Sequence, residues 1–287
     1  MLNALSAAVS GLDAYQEQMD IIGNNIANLN TTGYKSATGN LVDGFSDTLQ
    51  AATAATSSTV GGTNAMQIGT GVMTGSITND WSAGGINSTG VASNLAINGS
   101  GFFIVQDPNS GAQYVTQDGT FTINTNGNLV DSAGMELVGY NTSSLSGTPG
   151  PIKIDTTGMP STSSPTATMT SYAIGNNGVI SVNLSDGTSF SRGQVLLQNF
   201  TDPQALTSVG NNLYSNMANA GGLAAPAAPG STNMPLSTIQ SGSLELSNVD
   251  LSAQMADLIT AQRAFEANSK IITTSDELLQ DMVNLKR

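Results

Sequence analysis

Neither histidine nor cysteine occurs in these 287 residues. That removes the commonest general base, the commonest protein metal ligand and all thiolate chemistry. Three clusters could still suggest a site. Gly99-Ser100-Gly101 has the composition of a phosphate cradle or nucleophile turn, but no Gly-Lys-Ser/Thr follows it and no His could activate the serine. Asn124-Thr125-Asn126-Gly127-Asn128 faintly resembles a calcium loop, yet it lacks the carboxylates and the closing bidentate Glu. It reads as a hairpin turn. Asp276, Glu277 and Asp281 gather near the C-terminus at spacings that suit a solvated helix face. A hydrolase working through paired carboxylates has no local motif here. No catalytic, cofactor or metal site is predicted.

Bulk properties narrow the partners. The formal net charge is −13, with only seven Lys and Arg, which disfavours nucleic acid and anionic membrane surfaces. Charged residues make up 9% and aromatic residues 5%, beside 32 glycines, so several thin domains are expected in place of one large core. No apolar run is long enough to span a membrane. The start, Met1-Leu2-Asn3-Ala4-Leu5-Ser6, has no basic region ahead of its apolar residues, and export without a cleaved leader is predicted. Absence of cysteine rules out a disulfide framework. It fits the cytosol, and equally an exported protein held together by oligomerisation.

The elements that organise the chain lie at its two ends. Leu2, Leu5, Val9, Leu12, Tyr15, Met19, Ile22, Ile26 and Leu29 recur at intervals of three or four, and Leu251, Met255, Leu258, Ala261, Phe265, Ile272, Leu279 and Met282 do much the same with polar residues at some stripe positions. Such spacing places an apolar stripe along one side of a helix. Helices are predicted from about Asn3 to Asn28 and from Gly242 or Asn248 to about Lys286. Small residues in the first (Ala7, Ala8, Gly11, Ala14) would let a second helix approach closely. The predicted assembly interface is Leu5, Val9, Leu12, Met19, Ile22 and Ile26 facing Leu258, Phe265, Ile272 and Leu279. The Asn30-Thr31-Thr32-Gly33 run stops the first helix, with Gly33 suited to a left-handed residue.

Between the ends the signals are those of strands and turns. Leu95–Asn98, Gly101–Val105, Tyr114–Thr116, Phe121–Ile123, Glu136–Tyr140, Val179–Val182 and Gly193–Gln198 read as strands, with turns at Asp107–Gly111, Asn126-Gly127 and Asp186-Gly187. Ile152–Ile154 reads as one weak strand within a polar stretch. The fold class is therefore α+β, with antiparallel β in the middle and a coiled-coil-like helical part. The predicted division is a helical segment over 1–35, a connector over 36–75 (to about Asn64 a long connector or poorly fixed hairpin, with strand signals from about Met66), a β domain over 76–217 with a loop insertion near 141–170, a connector over 218–242, and a helical segment over 243–287 that pairs with the first.

Leu5-Ser6-Ala7-Ala8-Val9-Ser10-Gly11-Leu12, then Asn24-Asn25-Ile26-Ala27-Asn28-Leu29-Asn30-Thr31-Thr32-Gly33-Tyr34-Lys35, resembles the N-terminal signature of bacterial flagellar rod and hook proteins. Gly242–Leu251 and Gln262–Lys270 resemble the C-terminal one, and Leu95–Phe103 and Val209–Tyr214 resemble β-domain motifs of that family. Within it, Gly61-Gly62-Thr63-Asn64, Gln67–Val72, Gly134–Tyr140 and the ending Val283–Arg287 look most like the hook protein, with the distal rod protein as the alternative. The resemblance implies a structural subunit without catalysis or cofactor. It implies helical self-polymerisation through the terminal helices, and contact with adjacent axial proteins of rod and hook-filament junction, with the hook cap and with the type III export apparatus. Its place would be the extracellular hook or the basal-body rod. A secreted β-rich adhesin is the more remote alternative.

Overall fold

The computed structural model describes residues 2–53, 62–143, 145–160, 163–164, 166–222, 226–231 and 237–285. It divides into two compact units: one from 1–27, 36–80 and 249–287, the other from 28–35 and 81–248.

The first unit holds two helices, α1 (Leu2–Ala27) and α2 (Leu251–Leu285), and a ribbon. Asp250 caps α2, its carboxylate accepting from the amides of Ser252 at 2.8 Å and Ala253 at 3.4 Å. The helix starts there, and not at 243, because residues 243–245 are a strand paired with Ile86–Ser88. The ribbon comprises β1 (Ala37–Asp43), β2 (Ser46–Gln50), β3 (Met66–Gly69) and β4 (Val72–Asn79). β1 pairs antiparallel with β4, and β2 with β3, each pair carrying one bulge. The stretch predicted as connector or hairpin is thus a long two-stranded ribbon, held by backbone pairing and by cross-strand threonines such as Thr38 and Thr78. The tip read from composition as Ala/Thr/Ser linker lies partly outside the described residues (54–61).

The second unit is an antiparallel sheet. Its strands run in the order 169–174, 179–184, 189–195, 136–140, 102–106, 113–116, 213–215 and 207–210, with short strands added at the sides. Phe102–Gln106 lies at its centre and is buried on both faces. Strand alternation sends Phe103 and Val105 to one core with Phe121, Leu129, Leu137 and Ile180, and Phe102 and Ile104 to the other with Val115, Phe200 and Tyr214. Phe103 and Phe121 meet edge-to-face at 5.3 Å between centroids. Trp81 stands edge-on to Phe102 and Tyr214 at 5.2 and 5.1 Å.

Turn chemistry settles two of the clusters weighed from sequence. Asn124 accepts from the amides of Asn126 and Asn128 through its side chain and from Gly127 through its carbonyl, while Gly127 has φ +87°. This is a hairpin turn that uses its side-chain oxygen internally. Gly99 and Gly101, at φ +120° and +153°, turn the chain between the strands at 95–98 and 102–106. Ile152 and Ile154, weak in sequence, are 1% and 3% exposed in the first core. With Ala167 in the same core and Met159 packed against it, they anchor an otherwise polar stretch.

Candidate assembly surface

In the first unit α1 and α2 run antiparallel. Gly11 lies under Asn268, Asn25 Nδ2 donates to Gln254 Oε1 at 3.0 Å, and Leu5 shares a groove with Ile272, Thr273, Asp276 and Leu279. The contact is made close by small residues. Ala8, Ala14 and Ala261 are 3%, 3% and 2% exposed, and a β-carbon on Gly11 would stand 2.5 Å from Asn268 Nδ2. Small side chains let two backbones approach and gain dispersion contacts along their whole length.

The predicted interface residues divide into three groups. Ile22 is buried; Leu5, Leu12, Met19, Ile26, Leu258, Phe265 and Ile272 are half-buried; Val9 and Leu279 are exposed. Leu5, Ile272 and Leu279 come together in one groove, whereas Val9 points elsewhere at 45% exposure. Periodicity also missed Asn25, which is 1% exposed. Its amide donates to Ala37 O at 2.7 Å and its Oδ1 accepts from Ala37 N at 2.9 Å, so it clamps the end of α1 to the start of β1. Ser10 is used similarly, with its Oγ accepting from Val72 N at 3.3 Å. Neither could be found from an apolar stripe; the only sequence signal is a polar residue at a position facing inward.

Two apolar surfaces of this unit remain open. Past the groove that Leu5 shares with Ile272 and Leu279, α2 continues to Leu285, with Val283 66% exposed on the same side. Along the ribbon, Phe45, Leu49, Met66 and Ile68 are 83%, 60%, 56% and 49% exposed. A contiguous open stripe of this kind marks an interaction surface. No helix among the described residues is long and apolar enough to cross a membrane.

The sequence matches the family description "Flagella basal body rod protein" over residues 5–35, "Flagellar hook protein FlgE/F/G D1 domain" over 96–182 and "Flagellar basal body rod FlgEFG protein C-terminal" over 240–285. The Bacillus subtilis (strain 168) flagellar basal-body rod protein FlgG is 39% identical over 287 residues, covering 100% of both chains. FlgG of Buchnera aphidicola subsp. Baizongia pistaciae is 34% identical, covering 98% of this chain and 99% of that protein. The flagellar hook protein FlgE of Helicobacter mustelae is 41% identical over 140 residues, which is 49% of this chain and 31% of that protein. The crystal structure of the Helicobacter pylori hook protein FlgE2 aligns at 15% identity with a TM-score of 0.22 over 49% of this chain and 32% of that one, a likeness too slight to argue from. End-to-end matches to rod proteins, against a half-length match to a hook protein, back the rod alternative better than the hook reading preferred from sequence. With both terminal signatures, the β-domain signature and full-length relatives in agreement, the chain belongs to the flagellar rod and hook axial protein family.

Proposed function

We propose that the chain is a structural subunit of the flagellar rod, at its distal part, that polymerises into a hollow helical tube through its terminal helices. The carrying observation is the full-length likeness to proteins named as basal-body rod FlgG. The open apolar faces of α2 and the ribbon support it, because a lone subunit would leave Met282, Val283 and Leu285 exposed at 56–87%. Sister copies are the occupants that bury them. On this reading Leu5, Leu12, Met19, Ile22, Ile26, Leu258, Phe265 and Ile272 hold the helix pair, while Val9, Leu279 and the α2 residues beyond it face neighbouring subunits. The role is mechanical, with neither catalysis nor cofactor. Its further partners would be the adjoining axial proteins and the export apparatus.

A hook role has one observation in its favour, the 41% identity to a hook protein over half the chain. A deletion strain separates the two. Loss of a rod subunit leaves a basal body that stops before the outer ring is crossed, whereas a basal body with a complete rod and no hook would overturn the rod reading. Electron microscopy of the concentrated protein should show tubes or short fibres; a persistent monomer under all conditions would count against polymerisation itself.

A further inference from the structure

The second unit contains a buried ion pair that its apolar cores do not explain. Lys35 Nζ lies 2.7 Å from Glu245 Oε1, with the two side chains 1% and 4% exposed. Lys35 also donates to Ser82 O at 2.8 Å, and Glu245 Oε1 accepts from Gly84 N at 2.8 Å. Backbone bonds run through the same place: Gly33 N donates to Glu245 O at 2.9 Å and Leu246 N to Gly85 O at 2.8 Å. Asn248 Nδ2 reaches Ser82 O at 3.3 Å. Residues 28–35 are the segment by which the chain first enters this unit, before it departs at 36 and returns at 81, and 243–248 the segment by which it finally leaves.

Neither segment contributes a residue to the two apolar cores. Polar contacts hold them, and the central one is strongly all-or-none. Separating the pair while either partner stays buried leaves an uncompensated charge, which is far more costly than leaving the pair intact or hydrating both ends. Half-open states are therefore suppressed.

We propose that Lys35–Glu245 is a latch: the entering and leaving segments dock and undock together, as one cooperative element, while the sheet stays folded. The latch joins positions 210 residues apart, so neither segment can settle until the other is present. Closure of the unit is then a step separate from formation of its cores.

Native-state hydrogen exchange on the full chain tests this directly. The amides of Gly33, Gly84 and Leu246 should share one opening free energy, lower than that of core amides such as Val105 and Leu197. In Glu245→Gln, which leaves Lys35 charged and unpaired, the three should exchange faster together by at least about tenfold, with the core amides unchanged. Asp155→Asn, which breaks a different ion pair of the same unit, should accelerate none of the three. Three unrelated opening energies in the wild-type chain, or an opening energy equal to that of the core, would overturn the proposal. So would an equal acceleration of core and latch amides in Glu245→Gln; if that variant does not fold, the wild-type measurement and Lys35→Met decide.

Discussion

The two units use apolar residues in opposite ways. In the β unit the large ones point inward: Phe103, Phe121, Leu95, Leu129, Leu137 and Ile152 are each under 2% exposed. In the helix–ribbon unit the fully buried residues are few and mostly small, while most of the exposed large hydrophobics among the described residues lie there. One unit closes its own core. The other keeps its larger side chains for surfaces that one copy does not cover. The difference teaches that a low-charge, glycine-rich chain can carry both a self-sufficient domain and an incomplete one, and that burial distinguishes them better than secondary structure does.

The sharpest way to break this contrast is to charge the incomplete unit. Phe265→Asp puts a carboxylate in a half-buried seam position, where desolvation costs several kcal/mol unless the seam opens. Polymerisation should be abolished in sedimentation and electron microscopy, while the fluorescence of Trp81, the sole tryptophan and a member of the β unit, stays at its wild-type value. Normal tubes from the variant would sink the seam assignment. The reciprocal change, Phe103→Ala, should cost about 3–5 kcal/mol in the β unit. Read by Trp81 in urea, it tests whether that unit stands by its own core.

Much of this contrast was legible in the sequence because helix periodicity spans many residues and averages out errors. The limits of α1, the Gly33 stop (φ +66°) and the alternation around Phe102–Gln106 all follow from spacing and turn chemistry. Three features were not legible. Strands β2 and β3 of the ribbon are exposed throughout, so no buried face marked them. The Lys35–Glu245 pair joins residues 210 apart in sequence, and a lone buried polar residue such as Asn25 has no local pattern. The hook preference rested on a few short segments, whereas likeness along the whole chain favours the rod proteins.

A finer test asks whether close approach, and not mere apolarity, holds the helix pair. Gly11→Leu places a branched side chain against Asn268 in space now 2.5 Å deep at the β-carbon. Asn268 ends in a movable amide, so the helices should separate slightly and not unfold. A loss of about 1–3 kcal/mol is expected for the pair. Cross-linking across α1 and α2 should fall, with Trp81 unfolding unaltered. Gly11→Ala should lie between; both alanine and leucine raise helix propensity over glycine, so a stabilised pair in both variants would show that propensity, and not close approach, governs it.

The smallest effect concerns electrostatics in the β unit. Burial works against ionisation of Asp155, but hydrogen bonds from Arg192 and Thr157 and the charge of Arg192 outweigh it, bringing the pKa down to about 2 from 3.8. Arg192 Nε sits 2.7 Å from Asp155 Oδ1. A folded-state pKa below the unfolded value means the unfolded chain takes up the proton first on acidification. Stability from this group is therefore complete above pH 3.8 and lost as pH falls towards 2. Asp155 is 23% exposed, and screening reduces the contribution to about 1–2 kcal/mol. Urea unfolding followed by Trp81 should show Asp155→Asn less stable than wild type at pH 6, with the gap closing by pH 2. A gap that persists at pH 2 would assign the cost to lost hydrogen bonds instead of charge. The helix–ribbon unit lacks this ion pair, so its acid response should be the same in both proteins, and a difference there would mean the two units do not respond independently.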